Sequence, residues 1–417
     1  MGFVRNFAVT LFSQGLVFFA GFLNGVIIAR ALGRTGRGEY GLVVFLATVL
    51  LVLFGEGVHR ANVYLTSRDK SNLNISKLFS NSVAYWGVVL LIFSGLLVLP
   101  GHLYGFILPG LKPLYVRIGI GVALFFVFNR SIQGIFLGLQ QFWHYNLSYI
   151  GPTLVFFVLN AIFYFTLSSM ITRTVLLDYF AAMSFVFIVS LLIFKREHKI
   201  RFNPNLKRFI GDLSISSRAT LAYLMIYLLV QSNLYIVNYK AGLAQAGLFA
   251  VAMNIASLIQ RVPNVAGTVL FPKVSESRGN YQMNLTLRVT VVAFLIGVLL
   301  VSFFYFFGEQ LIVFFYKETF RPSYQALVWL FPGILVMSVT SILNINLWGR
   351  GFPKVSILAP FAGLVLDVTF CLILIPKRGI VGAAQAASIG FTTFAVIIIG
   401  YFLWTYRGKW KSIETRL

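Results

Sequence analysis

Residues Ala8–Ile28 read AVTLFSQGLVFFAGFLNGVII, and the chain then passes through Ala29-Arg-Ala-Leu-Gly-Arg-Thr-Gly-Arg-Gly38 into a second apolar stretch, Glu39–Phe54. The first stretch contains no charged residue over twenty-one positions. At about 1.5 Å per residue, a helix of that length crosses a hydrocarbon core of about 30 Å. The pattern therefore predicts a membrane-embedded helical hairpin with a short, cationic, glycine-rich corner.

The corner of this hairpin recurs in the second half of the chain. Ala29–Leu42 aligns without a gap onto Asn238–Val251, which places Gly33 on Gly242. The offset is 209 residues, close to half of the 417-residue chain. Internal repeats of this kind relate the two halves of many transporters. The repeat therefore predicts two halves of equal size.

The composition is that of a polytopic membrane protein. Hydrophobic residues make up 59% of the chain and charged residues 11%, and the mean hydropathy is +0.86. Uninterrupted apolar runs of about 20 residues favour helices over a barrel. The net charge of +23 would indicate nucleic acid in a soluble protein, but the Lys and Arg residues lie mostly at helix ends. Anchoring to anionic lipid explains them, so we expect the lipid bilayer and no nucleic acid as a partner.

The sequence predicts an all-α membrane protein of about twelve transmembrane helices in two pseudosymmetric six-helix bundles. The predicted spans are 8–30, 39–58, 78–99, 115–139, 148–170, 174–194, 215–239, 244–271, 285–307, 322–347, 354–376 and 380–404. The predicted domains are an N-terminal bundle at 1–194, a cytoplasmic linker at 195–214, a C-terminal bundle at 215–404 and a basic cytoplasmic tail at 405–417.

The distribution of positive charge predicts the orientation. With the N-terminus inside, 21 Lys and Arg residues lie on the cytoplasmic side and 11 on the outer side. This bias favours both termini in the cytoplasm of a bacterial inner membrane. Three arginines at the corner oppose the bias: Arg30, Arg34 and Arg37.

Nucleotide, metal and catalytic motifs are not predicted. Gly36-Arg-Gly-Glu-Tyr-Gly41 fits a dinucleotide-binding pattern, but a membrane helix precedes it in place of the required strand. The single cysteine, Cys371, excludes a disulfide framework, and the four His are scattered. We therefore predict no catalytic residue, no metal and no cofactor. The protein is expected to be a transporter and not an enzyme.

Arg130 and Arg261 fall inside predicted spans. A cation near the middle of a membrane costs at least about 2.5–3.5 kcal/mol on insertion scales, so it normally faces a wet cavity or a partner. Each stands in a polar stripe at helical spacing, formed by Asn129, Arg130, Gln133 and Gln140 in span four and by Asn254, Ser257, Arg261 and Asn264 in span eight. Steps of three and four residues place each stripe on one helix face.

Span seven supplies further candidates, Arg218, Gln231 and Asn233. Cations at the cytoplasmic end of a cavity, with amides above them, suit an anionic headgroup that carries sugars, because guanidinium binds phosphate bidentately and amides suit hydroxyls. These residues are the predicted substrate-binding set. The alternative is that the arginines pair structurally or extend to the inner headgroups.

Three acidic residues lie in or near predicted spans: Glu56, Asp178 and Asp367. An intramembrane carboxylate can couple transport to an ion gradient, and Asp367 is the deepest candidate. The alternative is that it pairs with a neighbouring donor. Gly134-x-x-x-Gly138 is interpreted as a close helix contact.

Ile28-Ala-Arg-Ala-Leu-Gly33, Gly38-Glu-Tyr-Gly-Leu42 and Val269-Leu-Phe-Pro-Lys273 resemble the polysaccharide-flippase (Wzx-type) branch of the multidrug/oligosaccharidyl-lipid/polysaccharide (MOP) superfamily. The resemblance implies a MATE-like fold with two bundles around a central cavity. The implied substrate is a polyprenyl-diphosphate-linked oligosaccharide, moved from the cytoplasmic to the outer leaflet by alternating access. It also implies a cationic cavity to which Arg30 contributes, and partners among the polysaccharide polymerase and glycosyltransferases of the pathway.

Two other functions fit the composition. A multidrug cation exporter of the same superfamily usually has an acidic residue in span one or seven, which Ala8–Ile28 and Leu221–Tyr239 lack. A membrane-embedded glycan ligase or transferase needs catalytic groups on a sizeable outer loop, and the predicted outer loops are short. The sugar composition and the ion that drives transport do not follow from the sequence.

Overall fold

The computed structural model of the chain describes residues 2–166, 170–198, 200–276, 280–348 and 353–414, all without a strand. Its helices are α1 (Gly2–Phe54), α2 (Glu56–Arg68), α3 (Asn72–Val98), α4 (Gly101–Ile107), α5 (Pro113–Gly138), α6 (Phe142–Thr166), α7 (Thr172–Glu197), α8 (Leu206–Ala241), α9 (Leu243–Glu276), α10 (Asn280–Tyr316), α11 (Ser323–Trp348) and α12 (Val355–Glu414). A short 3-10 turn at Glu318–Phe320 precedes α11.

Ten helical segments among these residues are long and apolar enough to cross a membrane. Two of them contain a break: α1 at Gly33 (φ 67°, ψ −167°) and α12 at Gly379 (φ 54°, ψ −133°). A straight 53-residue helix would extend about 80 Å, far beyond a hydrocarbon core of about 30 Å. Each broken helix therefore counts as two spans, and the predicted set of twelve is confirmed.

The internal repeat also appears in the backbone. Gly242, which aligns with Gly33, has a φ of 85° and separates α8 from α9. Left-handed backbone is accessible to glycine without a steric penalty, whereas other L-residues are strained there. The two glycines therefore mark the same reversal in each half of the chain.

Four boundaries differ from the sequence prediction. The corner of the first hairpin is the single residue Gly33, because its Ala, Arg and Leu neighbours continue the helix. The second span was predicted to end at residue 58, but the helix α2 begins at Glu56 and extends to Arg68. The predicted linker at 195–214 is helical at both ends, and the predicted tail after 404 continues α12 to Glu414.

The chain divides into two compact units, Met1–Thr220 and Leu221–Leu417. In the first unit α5 packs against α1, α2, α3, α6 and α7. Its aromatic core includes Phe79, Trp86, Phe136 and Phe194, and Phe79 stacks on Phe194 with ring centroids 4.9 Å apart. In the second unit α11 packs against α9, α10 and α12. The central position of α5 gives its polar side chains partners on the helices around it.

Candidate functional site

The polar stripe of α5 is hydrogen-bonded to α6 beside Pro152, a proline inside that helix. Pro152 has no N–H, so the carbonyl of Ser148, four residues earlier, loses its normal helical donor. The side-chain amides of Asn129 and Gln133 both donate to that carbonyl, each at 2.9 Å. Both residues were predicted to bind substrate. In the structure, their side-chain donors satisfy a buried backbone acceptor between α5 and α6.

Arg130 lies on the same stripe and is bound to a carboxylate. Its Nε donates to Oε1 of Glu56 at 2.8 Å, and its Nη1 donates to Oε1 of Gln133 at 3.0 Å. The Tyr145 hydroxyl is hydrogen-bonded to the same guanidinium. The alternative of structural pairing, weighed from the sequence, is therefore observed for this arginine. Its side chain nevertheless remains 21% exposed.

Glu56 is shared by a second arginine. Nε of Arg60 lies 3.6 Å from Oε2 of Glu56, one helical turn along α2. His59 is buried beside them, and its Nδ1 donates to the backbone carbonyl of Arg130 at 3.1 Å. We call Glu56, His59, Arg60 and Arg130 the Glu56 cluster. Two guanidinium groups face one carboxylate in it, so these charged groups together carry one positive charge.

Glycines in α5 create the contact between α2 and α5 that assembles the cluster. A Cβ on Gly134 would lie 2.5 Å from the carbonyl oxygen of His59, and one on Gly138 would lie 2.8 Å from the carbonyl oxygen of Val63. Only glycine permits such an approach. The prediction that this Gly-x-x-x-Gly pair packs helices together is confirmed. The side-chain amide of Asn62 on α2 also holds the two helices together, because it donates to the Ser131 carbonyl of α5 at 3.0 Å.

In the second unit, Arg261 lies on an exposed face of α9. Ser257 is exposed on the same face, and Asn254 is half-buried one turn earlier. The next residue toward the core, Gln260, donates to the Ile334 carbonyl of α11 at 2.8 Å. The predicted stripe of α9 is thus turned away from the bundle core. The side chain of its last member, Asn264, lies outside the described residues.

Asn233 and Asp367 meet in the core of the second unit, where neither is exposed. The Asn233 amide donates to Asp367 Oδ2 at 2.9 Å, and the Cys371 thiol donates to Asn233 Oδ1 at 2.7 Å. Backbone packs closely there, since a Cβ on Gly390 would lie 2.7 Å from the Asp367 Cβ. Asp367 therefore pairs with a neighbouring donor, as the alternative interpretation held. Asn233, predicted to bind substrate, is committed to this buried contact.

The remaining predicted residues differ in exposure. Gln231 and Arg30 are half-buried, and Arg218 is exposed. Sequence reasoning missed that Glu56 pairs with both Arg60 and Arg130. Glu56 and Arg60 are four residues apart and would share one face of a helix. The pair was missed because the second span was predicted to end at residue 58.

Comparison with known proteins places the chain in a family. The model of a family described as polysaccharide biosynthesis protein matches residues 3–278. An uncharacterized membrane protein of Methanocaldococcus jannaschii is 24% identical over 417 residues, which cover 94% of each chain.

Solved structures share the fold. A multidrug resistance MATE family transporter of the MOP superfamily, in an inward-facing conformation, superposes with a TM-score of 0.76 at 18% identity, covering 95% of this chain and 96% of that one. Lipid II flippase MurJ, in an inward closed conformation, superposes with a TM-score of 0.77 at 16% identity, covering 96% and 87%. A MOP superfamily transporter from Pyrococcus furiosus gives a TM-score of 0.62 at 15% identity, covering 96% and 94%.

These structures confirm an all-α, MATE-like fold. The family match and the fold together confirm the resemblance drawn from the N-terminal hairpin. The chain belongs to the polysaccharide biosynthesis protein family, and it shares its fold with the MATE and MurJ structures.

Proposed function

We propose that this chain moves a polyprenyl-diphosphate-linked oligosaccharide from the cytoplasmic to the outer leaflet by alternating access. The observation that carries the proposal is the Glu56 cluster, two arginines around one carboxylate in an apolar helical unit. Guanidinium groups bind phosphate oxygens through paired hydrogen bonds. The excess positive charge gives the diphosphate of a lipid carrier a site that a neutral lipid would not occupy.

The family match supports a polysaccharide precursor as the cargo. A structural relative with a similar fold is described as a lipid II flippase, and that description supports a lipid-linked substrate here. Arg261 and Asn254, on the exposed face of α9, are also proposed as substrate-binding residues, with Arg30, Arg218 and Gln231 as further candidates. Their cations suit the diphosphate and their amides suit sugar hydroxyls.

The proposal places the protein in a bacterial inner membrane with both termini in the cytoplasm. It takes substrate from glycosyltransferases on the inner face and delivers it to a polymerase on the outer face. The protein itself transfers no sugar and acts as no enzyme. Asp367 is proposed as the ion-coupling carboxylate, because it lies fully buried among polar groups in an apolar bundle.

Surface polysaccharide in cells that depend on this chain tests the proposal. Arg130→Ala and Arg261→Ala are expected to abolish the polymer while the protein remains inserted at normal levels. Arg321→Ala is the matched control, since Arg321 is also ion-paired but lies exposed outside the spans. Normal polymer in both test variants would remove the phosphate-binding role. Efflux of a fluorescent cation by vesicles would favour a multidrug exporter, and sugar transfer by the purified protein would favour a ligase.

A further inference from the structure

The charged side chains of the Glu56 cluster differ in how exposed they are. The Glu56 side chain is 4% exposed, whereas those of Arg130 and Arg60 are 21% and 28% exposed. The groups that reach outward are therefore cationic, and the anion lies beneath them. An anion that approaches from the exposed side meets guanidinium before it meets carboxylate.

The two arginines hold Glu56 unequally. Arg130 makes a hydrogen bond of 2.8 Å to Oε1, while Arg60 lies at 3.6 Å from Oε2, beyond hydrogen-bond length. A guanidinium group carries five N–H donors in a planar fork, more than a single carboxylate oxygen can accept. Rotation of these two side chains would bring their guanidinium groups to a second anion without a change in the helices that bear them.

The backbone around the cluster is fixed more firmly than its side chains. The Gly134 approach to His59 and the bond from His59 to the Arg130 carbonyl hold α2 against α5. Rearrangement within the cluster is thus a matter of side-chain rotation. This geometry allows the two arginines to exchange Glu56 for a second anion that competes with it.

We propose that Glu56 is a resident counter-anion, which the diphosphate of the substrate displaces from Arg60 and Arg130 and which returns when the substrate leaves. The proposal rests on the function proposed above and adds the regulation of that site. A diphosphate carries more negative charge than one carboxylate, so it outcompetes Glu56 for the arginines. After release, Glu56 again provides the negative charge beside the two arginines in an apolar unit. The carboxylate thereby limits affinity and permits release.

Binding of farnesyl diphosphate to the purified full-length protein in phosphatidylcholine nanodiscs tests this proposal. Glu56→Gln removes the charge but keeps an oxygen for Arg130. We expect it to bind the probe about tenfold more tightly, because one competing negative charge is lost. The gain should be smaller for farnesyl monophosphate and absent for farnesol. Glu197→Gln, at a carboxylate of the same unit that pairs with His144, should leave affinity unchanged.

The outcomes separate this proposal from the function on which it rests. Unchanged or weaker binding in Glu56→Gln, together with weaker binding in Arg130→Ala, would overturn the counter-anion role and leave the phosphate site intact. Unchanged binding in Arg130→Ala would overturn the proposed function itself. Should Glu56→Gln fail to fold, Arg60→Gln decides: the proposal predicts about tenfold weaker binding, and wild-type affinity would overturn it.

Discussion

Two ion-paired groups of arginine and glutamate in this chain differ in their ratio of arginines to carboxylates. At the start of α11, Arg321 binds two carboxylates, Glu309 at 2.5 Å and Glu318 at 2.8 Å, and all three side chains are at least 40% exposed. In the Glu56 cluster two arginines share one carboxylate that is 4% exposed. The first group carries a net negative charge and the second a net positive charge.

The difference in burial decides what each group can contribute. The hydrogen bond to Glu309 and the charge of Glu318 raise the pKa of Arg321, but exposed ion pairs are screened by water and salt and add little to stability. A buried ion pair loses hydration, and well-packed apolar residues in its place are often at least as stable. Stability therefore does not account for the Glu56 cluster. The anion-binding role proposed above would account for it.

The largest expected effect comes from separating the helices that assemble the cluster. Gly134→Leu places a side chain against the His59 backbone, where a Cβ alone would lie 2.5 Å from the carbonyl oxygen. We expect a loss of about 3 kcal/mol or more and little folded protein, measured as thermal stability in detergent. Gly87→Leu on α3 is the control, because a Cβ there meets nothing within 4 Å. Equal stability of the two variants would contradict the described contact.

Removing the shared carboxylate should have the next largest effect. Glu56→Ala leaves two arginines without their buried partner, and we expect about 2 kcal/mol of destabilisation, less than for a fully buried pair because both arginines are partly exposed. Glu309→Ala should leave the thermal midpoint unchanged, since its arginine is solvated. A larger loss from Glu309→Ala than from Glu56→Ala would reverse the comparison.

Changing the shape of the cation without changing its charge should affect transport more than folding. Arg130→Lys keeps one positive charge but loses the planar fork that binds phosphate through two bonds. We expect transport of a lipid diphosphate to fall about tenfold, with normal protein levels. Arg321→Lys should transport at the wild-type rate. Full activity of Arg130→Lys would show that charge alone suffices.

The smallest effect is expected at Asn129. Its amide is one of two donors to the Ser148 carbonyl, so Asn129→Ala should cost about 1 kcal/mol of stability. Transport should stay within about threefold of wild type, because the remaining Gln133 donor keeps the carbonyl satisfied. A loss of transport as severe as that of Arg130→Ala, at normal stability, would support the substrate-binding role predicted for Asn129.

The fold could be predicted because its determinants are local. Each span is a continuous apolar run, and the reversal at Gly33 and at Gly242 is a property of glycine at a repeated position. The stripe on α5 was also predictable from helical spacing. The release of the Ser148 carbonyl by Pro152 follows from the sequence as well, although its two amide donors do not.

The partners of the charged residues could not be predicted, because they lie far apart in the chain. Glu56 and Arg130 are separated by 74 residues, and Asn233 and Asp367 by 134. Each pair forms only where the helices that carry the two residues pack together. For Glu56 and Arg130, Gly134 allows α2 and α5 to approach closely. The sequence therefore identified Arg130 as a candidate functional residue but did not predict its ion pair with Glu56.

The rate at which proteoliposomes translocate a fluorescent polyprenyl-diphosphate-linked oligosaccharide tests the central claim most directly. Wild-type protein and Arg321→Ala should translocate it at similar rates. Arg130→Ala should lose about a hundredfold, the scale expected when a desolvated charge contact to phosphate is removed. Translocation by Arg130→Ala at the wild-type rate would contradict the account.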